Sequence, residues 1–434
     1  MSMNIALTGL KAATTDLSVI SNNIANANTT GFKLSRAEFG DMVAGNSANS
    51  SGMGVQLEDI SQQFKQGSVS STGKTLDLAI YGEGFFNIKQ DGADLYTRAG
   101  IFDTDNDGYV VNSLSQNLQG YGVDATTNKL TAIVGDLRID TADMKPTPTT
   151  TVDAGVNLDA NATIPPVAAF DPANPDSFNS TTSLTIYDSL GNSHRFDLYF
   201  IKTATLTWDV QATRNGGEPI TTATSAPTLY TPAAVAPSVL TNLQFDSKGL
   251  PIDSDPATAG TQPIKLSFTI PAADLMPAIP GTPNGADPLV MEVNFEKTTQ
   301  FGGPFSANSL TQDGYAKGRL TGINVDKNGE LSGRYNNGQS KLMGQVVLAN
   351  FASVQGLQPV GDTNWAETAA SGPALVGAPQ TGTLGKLVPS ALEASNVDLT
   401  EQLVNMISAQ RNFQANTQVI NTNGTLYQSI LNIR

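Results

Sequence analysis

The stretches with residue types that could do chemistry are few, and each departs from the chemistry it suggests. Asp103-Thr-Asp105-Asn-Asp107-Gly108 opens like a calcium loop, with carboxylates at alternate positions and a glycine at the sixth. Such a loop needs a bidentate glutamate at its twelfth position, and Leu114 stands there, so the stretch reads as a tight hairpin turn. Gly67 to Thr75 (GSVSSTGKT) resembles a phosphate-binding loop but carries five residues between its glycines, where that loop has four, and no apolar strand leads into it. Gly82-Glu83-Gly84 lacks the third glycine of a dinucleotide fingerprint. His194 is the single histidine and follows a turn-forming stretch; it is expected as a surface turn residue, and one histidine cannot build a multi-histidine metal site. With no cysteine there is no thiolate chemistry, and the 39 acidic residues form no pattern that selects a catalytic pair. The expectation is therefore no enzyme, no cofactor and no metal, with any ion at the Asp103 to Asp107 turn left open.

At 434 residues the chain has room for two or three domains. Its formal charge of −15 argues against nucleic acid and anionic membrane as partners, since both are bound through cationic patches. The first residues lack the apolar core and cleavage site of a signal peptide, and no apolar run approaches the roughly 20 residues that span a bilayer.

The strongest pattern is at the two ends. Stepping by four and three from Leu399 meets Leu403, Met406, Gln410, Phe413, Thr417, Ile420, Gly424, Tyr427 and Leu431, the seam of a helix packed along another helix. Asp398 with Glu401 three residues on is a capping-box start. At the N-terminus Met3, Ala6, Leu10, Ala13, Leu17, Ile20, Ile24 and Ala27 repeat the spacing. The two helices are expected to pair antiparallel. Few charges flank either seam, whereas a solvated coiled coil carries Glu and Lys there. We read helices built to be enclosed by copies of themselves; the competing reading is a terminal hairpin docked on its own domain.

Between the helices, 31–70 is rich in Ser, Gly and Asn and reads as an irregular connector. Leu76, Leu78 and Ile80, the Gly82-Glu-Gly84 turn, then Phe85, Phe86 and Ile88 read as strands, and short strands return over 308–365. These give a middle β domain of 71–146 and 306–390. A Thr/Pro/Ala/Asp-rich shift from Met144 to Phe170 marks a boundary to an outer β domain of 147–305. There Leu184 and Ile186, the turn Asp188 to Asn192, and Phe196, Leu198 and Phe200 form a hairpin. Further strands are expected at Leu206, Trp208 and Val210, at Ile264 to Ile270, and at Met291 to Phe295, with long loops at 220–240 and 271–288. The expected fold class is mixed: long terminal α-helices forming a coiled-coil-like domain, and two mainly antiparallel all-β domains inserted in series.

The stretch SNNIANANTTGFK (21–33), with Asn23, Ile24, Asn26, Asn28, Gly31 and Phe32, resembles the signature near the N-terminus of the bacterial flagellar rod and hook axial-protein family. LDLAIYGEGFFNIK, YTRAGIFDTDNDGYVVNSLSQNLQGYGV, NSLTQDGYAKGRLTGINVDKNGELSGRYNNGQ, LMGQVVLANFASVQGLQPVGDTNW and the SALEASNVDL region resemble the same family, although Ser390 stands where it usually has Gly. The resemblance covers roughly two thirds of the chain and is weaker over 150–300. It implies a structural subunit of the flagellar hook, a flexible curved tube that transmits torque from rod to filament. It implies export without a cleaved signal peptide to an extracellular place in the flagellum. Implied partners are further copies in a helical homopolymer, a distal rod protein, a hook-capping protein, a hook–filament junction protein and the flagellar export apparatus. The polymerisation interface is expected at Leu10, Leu17, Ile20, Ile24, Leu399, Leu403, Met406, Phe413, Ile420, Tyr427 and Leu431. Alternatives are a distal rod or hook–filament junction protein and, from another class, a secreted glycan-binding or adhesive β protein.

Overall fold

The computed structural model describes residues 2–43, 52–124, 126–215, 218–219, 221–223, 239–252, 265–270, 272, 275 and 285–431. Contacts divide the chain into two units, one of 1–141, 321–334 and 340–434, the other of 142–320 and 335–339. Both are mainly β, and the two α-helices belong to the first.

In the first unit α1 (Ser2–Ala25) and α2 (Leu399–Leu431) pack together along their lengths. Asp398 starts α2 as its sequence promised, its Oδ1 accepting from the Thr400 and Glu401 amides at 2.8 and 3.3 Å. Next to α1 lies a hairpin of β1 (Ser35–Val43) and β2 (Gly52–Gln62), in the segment expected to be an irregular connector. A two-stranded ribbon is marginal by itself, and its Ser/Gly composition hides the alternation. Docking on α1 decides the matter: the Val55 amide donates to Thr8 Oγ1 at 3.3 Å, and Gly54 leaves no room for a Cβ against Thr8.

Strands from both halves of the sequence then interleave. β3 (Val69–Ser71) pairs with Ala391–Glu393, and β4 (Leu78–Tyr81) pairs with Lys386–Pro389. β5 (Phe85–Gln90) pairs with β6 (Ala93–Thr97) and with 348–349, and β6 pairs with 364–365. Phe64, Phe85, Tyr96, Phe351, Leu357 and Trp365 form the apolar cluster behind this sheet. The glycine turn at Gly82 to Gly84 stands as read, both residues having positive φ.

The second unit packs two sheets over one core that includes Val152, Val156, Phe196, Phe200, Trp208, Phe268 and Phe295. Rings from the two sheets meet edge to face, Phe196 with Phe268 at 5.4 Å and Phe200 with Phe295 at 6.3 Å. The expected hairpin is present, with Leu184 opposite Phe196 and Tyr187 opposite Ser193. Thr151–Asp159, inside the stretch read as a boundary, is a strand with neighbours on both edges, parallel to 292–294 and 299–301 and antiparallel to 306–312. Its buried residues run almost continuously, so it shows no two-residue period. Leu206 is a left-handed turn residue at φ 60° rather than part of a strand. Ile264 and most of the loops expected at 220–240 and 271–288 lie outside the described residues.

The calcium-like stretch is a turn, and the same turn recurs. In Asp105 to Tyr109, Asp188 to Asn192, Asp246 to Leu250 and Asp326 to Glu330, the first residue is Asp and the fourth is a glycine with φ between 77° and 86°. In each, one carboxylate oxygen accepts from the amides two and four residues on, at 2.7 to 3.0 Å. The acid is an internal cap for the turn. His194 is corrected by the same geometry: it is 6% exposed, not a surface residue, and its Nε2 lies 3.2 Å from Asp188 Oδ2. Burial alone would raise the Asp188 pKa, but donors from Asn192, His194 and Leu190 outweigh it and hold the carboxylate below its ordinary range.

Candidate assembly surface and its anchor

Two contacts fix how the helices face one another. Asn23 Nδ2 lies 3.3 Å from Gln402 Oε1, and a Cβ built on Gly9 would meet the Asn416 side chain at 2.8 Å. Both give one antiparallel register. On α1 most of the expected seam is covered, Ala6, Ala13 and Ile20 buried and Leu10, Leu17 and Ile24 half-buried, but Met3 is 51% exposed, Ala27 lies past the helix end, and Asn23, outside the expected line, is buried.

On α2 the expectation needs correcting. The residues turned to α1 are Gln402, Met406, Ala409, Asn416 and Ile420; Gln402 and Ala409 are the most buried, at 4% and 1% exposed. Leu399 and Leu403, expected in this seam, are 45% and 50% exposed, and Phe413 is 37% exposed. The side chains of Tyr427 and Leu431 lie outside the described residues. The seam thus runs one residue earlier at alternate steps. A helix whose apolar residues spread over more than one face offers two stripes of similar spacing, and periodicity does not choose between them. The choice is made by shape and hydrogen bonding: Gly9 receives Asn416, and Asn23 meets Gln402.

The consequence is that large apolar side chains stand exposed on the outside of the pair, among neutral polar ones. Val404, Ile407, Val419 and Leu426 are 44% to 58% exposed, and Met3, Ile5 and Leu7 on α1 are 40% to 51% exposed.

The 21–33 motif is the anchor beneath that surface. Asn23, 1% exposed, donates to the Ser35 carbonyl at 2.8 Å and accepts from the Ser35 amide at 3.0 Å, tying α1 to β1 and α2 at once. Asn26 Oδ1 accepts from Thr29 Oγ1 at 3.1 Å within the turn, Asn28 is exposed, and Phe32 is half-buried. Gly31 has φ 73°, donates its amide to the Glu393 carbonyl at 2.9 Å, and would drive a Cβ to 2.5 Å from the Ala99 nitrogen. Only glycine meets all three demands.

Beside it lies a buried ionic cluster that the sequence did not announce. Lys33 Nζ reaches Glu393 Oε1 at 2.6 Å and the Lys65 carbonyl at 2.9 Å; Arg98 NH1 reaches Glu393 Oε2 at 3.1 Å and NH2 the Gly82 carbonyl at 2.8 Å. The Gly67 amide also donates to Glu393 at 2.9 Å, and the Glu393 and Lys33 side chains have no exposed area. Burial pulls Lys33 and Arg98 below their usual pKa, and the Glu393 carboxylate opposes it. Asn396 completes the joint, accepting from the Leu34 amide at 2.8 Å and donating to the Gln63 carbonyl at 2.7 Å. Glu393 and Asn396 lie 295 to 362 residues from the groups they hold, so no local spacing could pair them. The one available signal was a lysine closing the N-terminal motif and a glutamate inside the C-terminal one.

Four family models match: "Flagella basal body rod protein" over residues 3–33, "Flagellar hook protein FlgE/F/G D1 domain" over 79–186, "Flagellar basal body protein FlaE D2 domain" over 157–315, and "Flagellar basal body rod FlgEFG protein C-terminal" over 388–433. Among curated relatives, the flagellar hook protein FlgE of Escherichia coli K12 is 36% identical over 438 residues, and that of Salmonella typhimurium is 37% identical over 439; each alignment covers 100% of both chains. Among solved structures, the Helicobacter pylori flagellar hook protein FlgE2 matches with TM-score 0.50 at 13% identity, over 75% of this chain and 100% of that one, a likeness of fold.

Proposed function

This chain belongs to the bacterial flagellar hook protein family, and from that membership we propose that its helix pair is the surface by which copies assemble into the hook, a flexible curved tube transmitting torque from rod to filament. One observation carries the reading: α2 buries Gln402 and Ala409 most deeply against its partner helix and leaves Leu399, Leu403, Val404, Ile407, Val419 and Leu426 outside, among neutral polar residues. In water that arrangement wastes burial worth about 25 cal/mol per Å². In a cylinder of copies it is recovered, and the helices become coiled-coil-like walls. The further division of labour is a terminal helical part for polymerisation, a middle β domain and an outer β domain, joined in series. Contacts among outer domains would be smaller and more polar, so that they slide as the tube bends. Export before folding, and contact with the export apparatus, distal rod, hook-capping and hook–filament junction proteins, belong to the same reading.

The test is electron microscopy and sedimentation of the full-length chain under salting-out conditions, beside Leu403→Asp with Ile407→Asp. The full chain forms tubes, and the double variant stays unassembled with an unchanged helical circular dichroism signal. Tubes from the double variant, or from a chain lacking both helices, would overturn the proposal.

A further inference from the structure

The helix pair carries four charged side chains, Lys11 and Asp16 on α1 and Glu401 and Arg411 on α2. None of them enters an ion pair found among the described residues. Three of the four are in ordinary surroundings: Lys11 and Arg411 are exposed, and Glu401 is exposed in the first turn of α2, where the helix end favours an anion. Asp16 differs. The register set by Gly9 with Asn416 and Asn23 with Gln402 places it in the seam, opposite Ala409. It is half-buried there, and burial pushes its carboxyl pKa up. A carboxylate placed so, and then enclosed by further copies, needs a cation.

Its own chain does not offer one. Arg411 is two residues beyond Ala409, a step of about 3 Å along the axis and roughly 200° around it, so it leaves α2 on the side away from α1. That side is exposed and open to another copy. Of the two exposed cations, Arg411 has the planar fork that suits a carboxylate. We propose that Asp16 of one copy is paired with Arg411 of a neighbouring copy, so that these two residues select how copies fit side by side. The inference rests on the assembly reading above and names the polar contact within it.

The experiment compares full-length wild type, Asp16→Arg, Arg411→Asp and the double exchange, scoring polymer yield by sedimentation and tubes by electron microscopy. Each single reversal lowers yield about tenfold or more, and the double exchange restores it to within about threefold of wild type. Should Asp16→Arg lose helical signal, Asp16→Asn serves in its place, with a smaller drop that high salt no longer deepens. Arg411→Asp assembling like wild type, or a folded double exchange no better than the singles, overturns the pairing. Wild type failing to form tubes overturns the assembly reading instead.

Discussion

The core of the second unit and the outer face of α2 hold the same kinds of side chain under opposite rules. Phe196, Phe200, Trp208, Phe268 and Phe295 are nearly or wholly inaccessible, and rings meet edge to face. Along α2, Leu403, Val404 and Ile407 are at least half exposed, and the buried line is Gln402 and Ala409. The first region completes its burial within one chain. The second holds burial in reserve, and the difference separates residues that fold the molecule from residues that assemble it.

That contrast can be broken in four places. The largest effect belongs to Glu393→Ala, which leaves Lys33 and Arg98 buried without their anion; about 3–5 kcal/mol or more of stability is lost, read from urea unfolding of the full chain. A loss below about 1 kcal/mol would mean that the joint of the first unit does not depend on the cluster. Trp208→Ala, in the core of the second unit, costs about 3–5 kcal/mol by the same measurement. Acid comes next. Because the folded pKa of Asp188 is depressed, its contribution is complete above the ordinary carboxylate range and is lost as pH falls through the folded value, from about pH 4 downward. Asp313 behaves alike, its carboxylate accepting from the Thr150 and Thr151 amides while burial opposes. Asp188→Asn flattens part of the fall in urea midpoint between about pH 5 and pH 3, and an unchanged slope would remove Asp188 from the account. The smallest effect is Ile407→Ala: the unassembled chain changes by less than about 0.5 kcal/mol, since the side chain is 50% exposed. A loss near that of Trp208→Ala would erase the distinction between the two regions.

Much of the molecule was legible from residue order. The α1 stripe, the Asp398 cap, the turn at Gly31 and the Leu184 to Phe200 hairpin all follow from local chemistry: side-chain period, capping oxygens, and glycine where φ is positive. The Asp turns were legible in principle, for an Asp three residues before a Gly repeats through the chain, and only one of them imitates an ion site. The β1–β2 ribbon, the strand at 151–159 and the α2 face were not. Each depends on what lies next to it, α1 for the ribbon, neighbours on both edges for the strand, and Gly9 with Asn23 for α2.

By itself, then, the sequence determined two long terminal helices, a β-rich body, His194 beside a turn and a family likeness, because those rest on interactions within a few residues or on motif order. Tertiary structure alone decided which stripe of α2 meets α1, that His194 is buried on Asp188, and that Lys33, Arg98 and Glu393 share one site. Those outcomes turn on contacts between residues distant in the chain, or on how deeply a side chain is covered. Neither spacing nor composition encodes how closely two remote backbones approach, and that approach is what makes a charge need a partner or leaves a leucine in water.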